Sequence, residues 1–201
     1  MQESTKKLLT TRNIAKIAIL SAIAFVLMLI EFPLPFAPSF YKLDFSEVAV
    51  LMGGFSMGPW AAVAIEALKV VLNLLFNGTI TMGVGELANF LIGCALCIPA
   101  SWIYAKNKSR ATAIKGMIIG TLCMTVAGVI LNIFVLIPAY VAFAGYPLDA
   151  IIGMGTAIFP AIHDVVSLAL ICVIPFNLVK GILVSIITAL LYKHVSPLLH
   201  R

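Results

Sequence analysis

The chain has 201 residues, of which 62% are hydrophobic and only 10% are charged, and its mean hydropathy is +1.13. This composition is typical of a polytopic membrane protein and excludes a sizeable soluble domain, because a length that allows roughly six apolar spans leaves little else. The sequence contains no Gly-x-x-x-x-Gly-Lys-[Ser/Thr] phosphate loop, so it has no recognisable means of using ATP by itself.

Three helices are predicted in the first part of the chain. The first apolar run, Ile14 to Ile30, follows a basic start and is not followed by a signal-peptide cleavage site, so we interpret it as a retained helix. After the proline-rich FPLPFAPSF, a short second helix is predicted over Ser46 to Met57 and a third over Pro59 to Phe76. Gly58-Pro59 favours a break between these two helices.

Three more helices are predicted in the remainder. The fourth runs from Val84 to Tyr104, and the fifth runs from Gly116 to Ile137 and is closed by Pro138. The last apolar stretch is interrupted at Pro175, which predicts a sixth helix with proline in its first turn. We therefore predict a single membrane domain over residues 1–201, with a basic N-terminus at 1–13 and outer loops at about 31–45, 77–83 and 138–164, the last containing short helical pieces.

Charge orients this all-α arrangement in the membrane. The positive residues cluster in three segments that should share one side: Lys6, Lys7, Arg12 and Lys16; Lys106, Lys108, Arg110 and Lys115; Lys193 and Arg201. The positive-inside rule places these segments, and both termini, in the cytoplasm. The acidic residues then fall outside or near the outer interface: Glu31, Asp44, Glu47, Asp149 and Asp164. The net charge of +5 is explained by topology and by anionic inner-leaflet lipid, so we predict no nucleic-acid partner.

Eight polar side chains interrupt the apolar runs, and each is costly at membrane depth: Glu66, Lys69, Asn73, Glu86, Asn89, Asn132, Asn177 and Lys180. Glu66 and Lys69 are three residues apart, in what we predict to be the inner half of the third span, which favours a local ion pair. Amides such as Asn73 and Asn89 commonly form hydrogen bonds between membrane helices.

Asn132, Asn177 and Lys180 are predicted to converge. At the α-helical rise they lie roughly 9, 3 and 8 Å below the predicted outer ends of their spans, and Asn177 and Lys180 share one helical face. Such groups suit a neutral or weakly charged ligand with several hydroxyls. A lysine that merely snorkels to the surface is the alternative. With no arginine in the membrane or on the outer side, a multiply phosphorylated ligand fits poorly.

Four stretches, YKLDFSEVAVLMGGFSMGPW, GELANFLIG, GVILNIFVLIPAY and IPFNLVKG, together resemble the riboflavin-specific S-components of energy-coupling factor (ECF) transporters along essentially the whole chain. The resemblance implies the S-component fold, an integral membrane protein of six transmembrane helices in the plasma membrane of a prokaryote. It implies an outward-facing pocket for riboflavin as transported substrate, with no cofactor, metal site or catalytic residue. It also implies two kinds of partner, a transmembrane T-component and two cytoplasmic ATPase subunits.

The resemblance assigns residues to the pocket. Asn132, Asn177 and Lys180 match positions that hold the ribityl chain of riboflavin in the family. The loop between the first two helices contributes to the flavin-ring end of the pocket, which makes Leu43, Asp44 and Phe45 candidates. Two further pocket candidates, Glu86 and Asn89, lie near the outer end of the fourth span.

A separate contact surface is predicted on the first helix. Ala18 and Ala22 are four residues apart, with Ala15 nearby, and small residues at this spacing let helices approach closely in lipid. The pattern resembles the Ala-x-x-x-Ala motif through which S-components dock on the T-component. Packing inside the bundle is the alternative.

Two other functions stay open at this point. A self-sufficient, ion-coupled secondary transporter of a small vitamin could relay protons through Glu66, Glu86 or the His163-Asp164 pair, although no internal repeat halves are visible. An intramembrane enzyme could use His163-Asp164 as a catalytic pair, but no nucleophile motif accompanies it. Cys94 and Cys97 look superficially like half a metal or redox motif, and we predict that they are packing residues.

Overall fold

A computed structural model describes the backbone of residues 10–199 and the side chains of residues 10–192. The charges attributed to Lys6, Lys7 and Arg201, and the side chain of Lys193, lie outside the described residues. The described chain is almost entirely helical, with one short β-hairpin.

The first part of the chain forms three helices and the hairpin. Helix α1 (Thr11–Leu29) is capped by the Thr10 hydroxyl, which accepts the backbone N–H of Asn13. Strands β1 (Phe32–Pro33) and β2 (Lys42–Leu43) pair antiparallel. Helices α2 (Ser46–Met57) and α3 (Pro59–Asn77) follow, as predicted. Gly58 turns the chain between them at φ +98°, a conformation that favours glycine.

The second part contains helix α4 and two longer helices, each of which includes a π turn. Helix α4 (Val84–Lys106) is followed by α5 (Arg110–Leu131), which continues through a π turn (Asn132–Leu136) into α6 (Ile137–Ala142). Helix α7 (Leu148–Thr156) lies in the connection. Helix α8 (Val165–Leu168) continues through a second π turn (Ala169–Val173) into α9 (Ile174–Leu199).

Two predicted helix boundaries are wrong, and for the same physical reason. Pro138 does not close the fifth helix and Pro175 does not begin the sixth; each lies inside a continuous helix, directly after a π turn. The N–H of Ile137 bonds to the carbonyl of Asn132, and the N–H of Ile174 bonds to the carbonyl of Ala169, in each case five residues back. A π turn is wider than an α turn, and it accommodates a proline ring that would collide with the carbonyl four residues earlier in a regular helix.

These continuous helices change the predicted loop and depths. The fifth helix begins at Arg110 rather than Gly116 and reaches Ala142, so the third loop begins after Ala142 rather than at residue 138. Asn132 lies about 15 Å along the helix from Ala142, and Asn177 and Lys180 lie about 18 and 22 Å from Val165. The predicted distances of 3 to 9 Å from the helix ends are therefore too small, and each of the three residues lies at least ten residues from the nearer end of its continuous helix.

Five helical segments in the described part of the chain are long and apolar enough to cross a membrane: Thr11–Leu29, Pro59–Asn77, Val84–Lys106, Arg110–Ala142 and Val165–Tyr192. The apolar helix α2 is shorter, at 12 residues. Six spans with both termini on the cytoplasmic side therefore stay a prediction.

The shortest of these helices lies at the centre of the bundle. Every residue of α2 from Ser46 to Phe55 is buried, because α1, α3, α4 and α9 all pack against it. A helix that is apolar on all sides is expected in such a position. The central position of α2 matters for the site, because Glu47, in its first turn, is thereby buried among four other helices.

Candidate functional site

Asn132, Asn177 and Lys180 are brought together in the interior of the bundle. Asn132 lies in the π turn after α5, and Asn177 and Lys180 lie on α9; their exposed fractions are only 1%, 2% and 5%. Gly128, one turn before Asn132, lies directly against the side-chain amide of Asn177. The two helices thus meet at their polar residues because a glycine leaves room for the amide.

Both asparagines are oriented by their own helices. The Nδ2 of Asn132 donates to the carbonyl of Gly128 at 2.8 Å, and the Nδ2 of Asn177 donates to the carbonyl of Val173 at 3.0 Å. The Oδ1 of Asn132 accepts the Tyr41 hydroxyl at 2.6 Å. The Oδ1 of Asn177 is buried and has no hydrogen-bond partner among the described residues. A buried acceptor without a partner costs about 1–3 kcal/mol, so this oxygen is a candidate to accept from a ligand.

Lys180 is held by two carboxylates. Its Nζ lies 2.9 Å from Asp44 Oδ2 and 3.1 Å from Glu47 Oε1. Its side chain is only 6% exposed, so the alternative that it snorkels to the surface is wrong. An ammonium has three donors, and two carboxylate contacts leave the third for a ligand.

Asp44 is built into the start of α2. Its Oδ1 accepts the backbone N–H of Ser46 at 2.8 Å and also the Ser46 hydroxyl, which satisfies a free donor at the helix N-terminus. Burial alone would raise the pKa of Asp44, but Lys180, Lys69 and the hydrogen bond from Ser46 outweigh it, and the pKa is lowered. Asp44 is therefore a carboxylate at neutral pH, the form that pairs with Lys180.

The pairing continues across the bundle as five residues of alternating charge, which we call the charge chain: Asp44, Lys180, Glu47, Lys69 and Glu66. Lys69 Nζ lies 2.6 Å from Glu66 Oε1 and 3.4 Å from Glu47 Oε1, and it donates to the Ser46 hydroxyl at 2.9 Å. The predicted Glu66–Lys69 ion pair is confirmed. Lys69 thereby contacts the first turn of α2, and its predicted place in the inner half of the third span stays a prediction.

The segment before α2 covers these polar groups with aromatic rings. The Tyr41 ring lies 5.6 Å from that of Phe176 and 4.3 Å from that of Phe40, which in turn lies 5.9 Å from that of Tyr140. We call these four residues the aromatic cap. Burial raises the pKa of the Tyr41 hydroxyl well above its ordinary value, so this group stays protonated and donates to Asn132.

The other residues predicted for the flavin-ring end lie in the same segment. Leu43 is completely buried and packs with Phe176, while Phe45 is half-buried with its ring 6.1 Å from that of Phe32. The exposed side chains of Lys42 and Glu31 form an ion pair across the hairpin. The loop therefore lies directly over Asn132 and Lys180, held to the bundle by Tyr41 and Asp44.

Glu86 and Asn89, the two further pocket candidates, lie in the first turns of α4. Glu86 Oε2 accepts from the hydroxyls of Thr79 and Thr81 at 3.0 and 3.4 Å, so this carboxylate organises the turn between α3 and α4. Asn89, one turn further along α4, is half-buried with an unpartnered Oδ1. The hydrogen bonds of Glu86 thus connect it to the turn rather than to the charge chain.

The alanines of α1 lie on its outward face. Ala15, Ala18 and Ala22 are all exposed, whereas the opposite face of the helix is buried against the bundle through Leu20, Ser21, Ala24 and Met28. These alanines are therefore available to another protein. Packing inside the bundle, the alternative interpretation, does not use them.

His163 and Asp164 have a structural explanation. The Asp164 carboxylate accepts the backbone N–H of Ser167 at 2.6 Å, and the Ser167 hydroxyl accepts the N–H of Asp164 at 3.1 Å, which forms a capping box at α8. The Ser167 hydroxyl also donates to the Asp164 carboxylate at 2.7 Å, and this bond, together with the one from the Ser167 N–H, lowers the pKa of Asp164. His163 lines an open cleft of about 610 Å³ together with Asp149 and Thr156.

Sequence reasoning missed three residues of this site. Tyr41 gave no signal beyond its place in an aromatic loop. Glu47 was predicted only to be an acidic residue near the outer interface. Lys69 was predicted only to pair with Glu66. One signal could have found Glu47: Lys69 and Lys180 are two lysines inside apolar runs, and each needs a buried acid.

A bundle of apolar helices that buries a polar centre beneath a loop defines a membrane-embedded binding protein. The family model described as "ECF transporter, substrate-specific component" matches residues 12–192, and the chain belongs to this family. It is therefore the binding component (S-component) of a transporter, and the interpretation as an intramembrane enzyme is wrong.

Individual relatives agree with the family. The chain is 38% identical over 192 residues to the riboflavin transporter RibU of Staphylococcus aureus (strain TCH60), covering 94% of this chain and 93% of the relative. It is 32% identical to the riboflavin transporter FmnP of Bacillus subtilis (strain 168), covering 92% and 93%. A solved structure, titled "Structure and mechanism of the S component of a bacterial ECF transporter", matches with a TM-score of 0.72 and 40% identity, covering 94% of this chain and 97% of that one.

The charge chain makes a prediction about stability. Lys180→Met leaves Asp44 and Glu47 buried without their shared ammonium, and we expect it to lower the free energy of unfolding by about 3–5 kcal/mol. Lys42→Met, which breaks the exposed pair with Glu31, should cost at most about 1 kcal/mol. Thermal unfolding of the two variants in the same detergent measures the difference. Equal shifts in Tm would show that the buried pairing contributes no more than the exposed one.

Proposed function

We propose that this protein captures riboflavin at the outer face of a prokaryotic plasma membrane and delivers it for ATP-driven uptake through an ECF module. The observation that carries the proposal is the buried polar centre, where the Asn177 Oδ1 has no partner in the described part of the chain and two carboxylate contacts leave Lys180 one donor to spare. Support also comes from relatives named as riboflavin transporters that align over more than nine tenths of this chain.

The ribityl chain of riboflavin matches the polar centre chemically. Each of its hydroxyls both donates and accepts a hydrogen bond. In our proposal one hydroxyl donates to Asn177 Oδ1 and another accepts from the Lys180 ammonium. Asn132 Oδ1 receives a third hydroxyl in place of the Tyr41 phenol that it binds in this structure.

The flavin ring matches the groups beside the polar centre. A flat, largely apolar tricycle gains most from apolar walls and aromatic faces, and the aromatic cap together with Leu43 and Phe45 supplies both. Asp44 lies between these residues and Lys180. We propose that it marks the boundary between the ring end and the ribityl end of the pocket.

The loop must move for the ligand to enter. Asn132, Asn177 and Lys180 are each at most 5% exposed, and Tyr41 occupies the hydrogen-bonding position on Asn132. We therefore propose that residues 34–41, between the two strands, lift while Asp44 stays paired with Lys180, carrying the Tyr41 ring away from Phe176, and close again over bound riboflavin. The structure described here corresponds to the closed arrangement.

Energy for transport comes from partner proteins in this proposal. The sequence lacks a phosphate loop, and the exposed alanines of α1 form a flat face that another apolar helix can approach closely. We propose that Ala15, Ala18 and Ala22 contact a transmembrane T-component, which links this chain to two cytoplasmic ATPase subunits. Both termini of the chain lie in the cytoplasm in this arrangement, in accord with the positive charges near them.

Riboflavin binding tests the substrate directly. Titration of riboflavin with the purified protein should give saturable quenching of flavin fluorescence. We expect Asn177→Ala or Asn132→Ala to weaken binding by at least about 1 kcal/mol, because each removes a buried hydrogen bond to the ligand. Asn73→Ala, which removes a buried amide on α3, is the matched control and should leave the Kd unchanged. Absence of saturable quenching by the wild-type protein would refute the substrate.

Docking on the T-component has its own test. Ala18→Trp places a bulky ring on the exposed face of α1, so we expect riboflavin uptake by cells to be abolished while binding by the purified protein stays intact. Ile118→Trp, at an exposed apolar position of α5, is the control and should transport normally. Undiminished uptake by Ala18→Trp would contradict the docking surface. Concentrative uptake in cells that lack the ECF ATPases would favour a self-sufficient transporter instead.

A further inference from the structure

The charge chain carries more negative than positive groups. Its three acidic residues, Asp44, Glu47 and Glu66, outnumber its two lysines, Lys69 and Lys180, so the chain has no positive charge to spare even with one carboxyl protonated. All five residues are at most 5% exposed, so solvent and salt screen them weakly.

The lysine nearest the proposed ligand is already neutralised. Lys180 contacts both Asp44 at 2.9 Å and Glu47 at 3.1 Å, and Lys69 is shared between Glu47 and Glu66. Lys42, which lies in the segment that covers the site, is paired with Glu31. The sequence has only three arginines, Arg12, Arg110 and Arg201. Arg12 and Arg110 lie in the first turns of α1 and α5, distant in sequence from the residues of the polar centre.

We propose that Glu47 is a specificity-determining residue, which leaves the site without spare positive charge and so favours neutral riboflavin over its 5′-phosphate ester, flavin mononucleotide (FMN). The inference rests on the proposed function. Glu47 does not need to touch the ligand, since it acts by neutralising Lys180. A phosphate monoester carries about −1.5 to −2 charges at pH 7, and among the described residues of this buried site it meets carboxylates and no unpaired lysine.

Coulomb's law gives the size of the effect on FMN binding. A unit charge at roughly 10 Å, in surroundings with an effective dielectric constant of about 20, changes a binding equilibrium by more than tenfold. A neutral ligand is little affected by the same change. The ratio of the Kd for FMN to the Kd for riboflavin therefore reports the charge of the site, whereas a loss of packing weakens both ligands together.

The test measures this ratio with the purified full-length chain and its variants, by flavin fluorescence quenching. Glu47→Gln keeps the size and shape of the side chain and removes one negative charge, so we expect the ratio to fall by at least about tenfold. Lys69→Met removes a positive charge from the same chain and should raise the ratio. The double variant Lys69→Met/Glu66→Gln restores the wild-type balance and should return the ratio to near the wild-type value. Asp149→Asn, which removes an exposed carboxylate on α7, is the surface control and should leave the ratio unchanged.

Opposite shifts in the two single variants, with recovery in the double variant, would support the proposal. An unchanged ratio in Glu47→Gln would overturn it, and so would equal binding of FMN and riboflavin by the wild-type protein. If Glu47→Gln does not fold, Lys69→Met must still raise the ratio, because it leaves Glu47 without that partner, and failure to do so overturns the proposal. Failure of the wild-type protein to bind either flavin is a different result, because it refutes the proposed function itself.

Discussion

The ammonium of Lys180, buried between the carboxylates of Asp44 and Glu47, is the interaction on which the rest of the site depends. It joins α9 to α2 and to the end of the covering loop, at distances of 2.9 and 3.1 Å. Removing these charges from water is expensive, and only close pairing with further hydrogen bonds offsets the cost. Ser46 and Lys69 supply those hydrogen bonds, which explains why the first turn of the short, buried helix α2 is so polar.

This pairing also fixes the geometry of the proposed ligand site. Asp44 ties the end of the loop to the bundle, which brings Tyr41 over Asn132 and places its ring against Phe176. The result is a polar floor of two amides and an ammonium beneath an aromatic cover. An elongated ligand with hydroxyls at one end and a flat ring at the other suits both surfaces, and riboflavin, the substrate that we propose, has this shape.

The sequence predicted the parts of the structure that depend on local pattern. Hydropathy located the helices, and polar residues inside apolar runs identified Asn132, Asn177 and Lys180, which the structure brings together. Two features could not be predicted in this way. Proline rules assume α-helical geometry, so they predict a helix end at Pro138 and a helix start at Pro175, where the π turns keep each helix continuous. The contact between Glu47 and Lys180 joins residues 133 positions apart, and no periodicity in the sequence reports such a pairing.

The most direct measurement is an experimental structure of this protein with riboflavin bound. Our account predicts ribityl hydroxyls within hydrogen-bonding distance of Asn177 Oδ1 and Lys180 Nζ, with the Tyr41 hydroxyl displaced from Asn132 and the flavin ring against the aromatic cap. Riboflavin bound elsewhere, for example in the open cleft beside Asp149 and His163, with the Tyr41–Asn132 hydrogen bond intact, would contradict it.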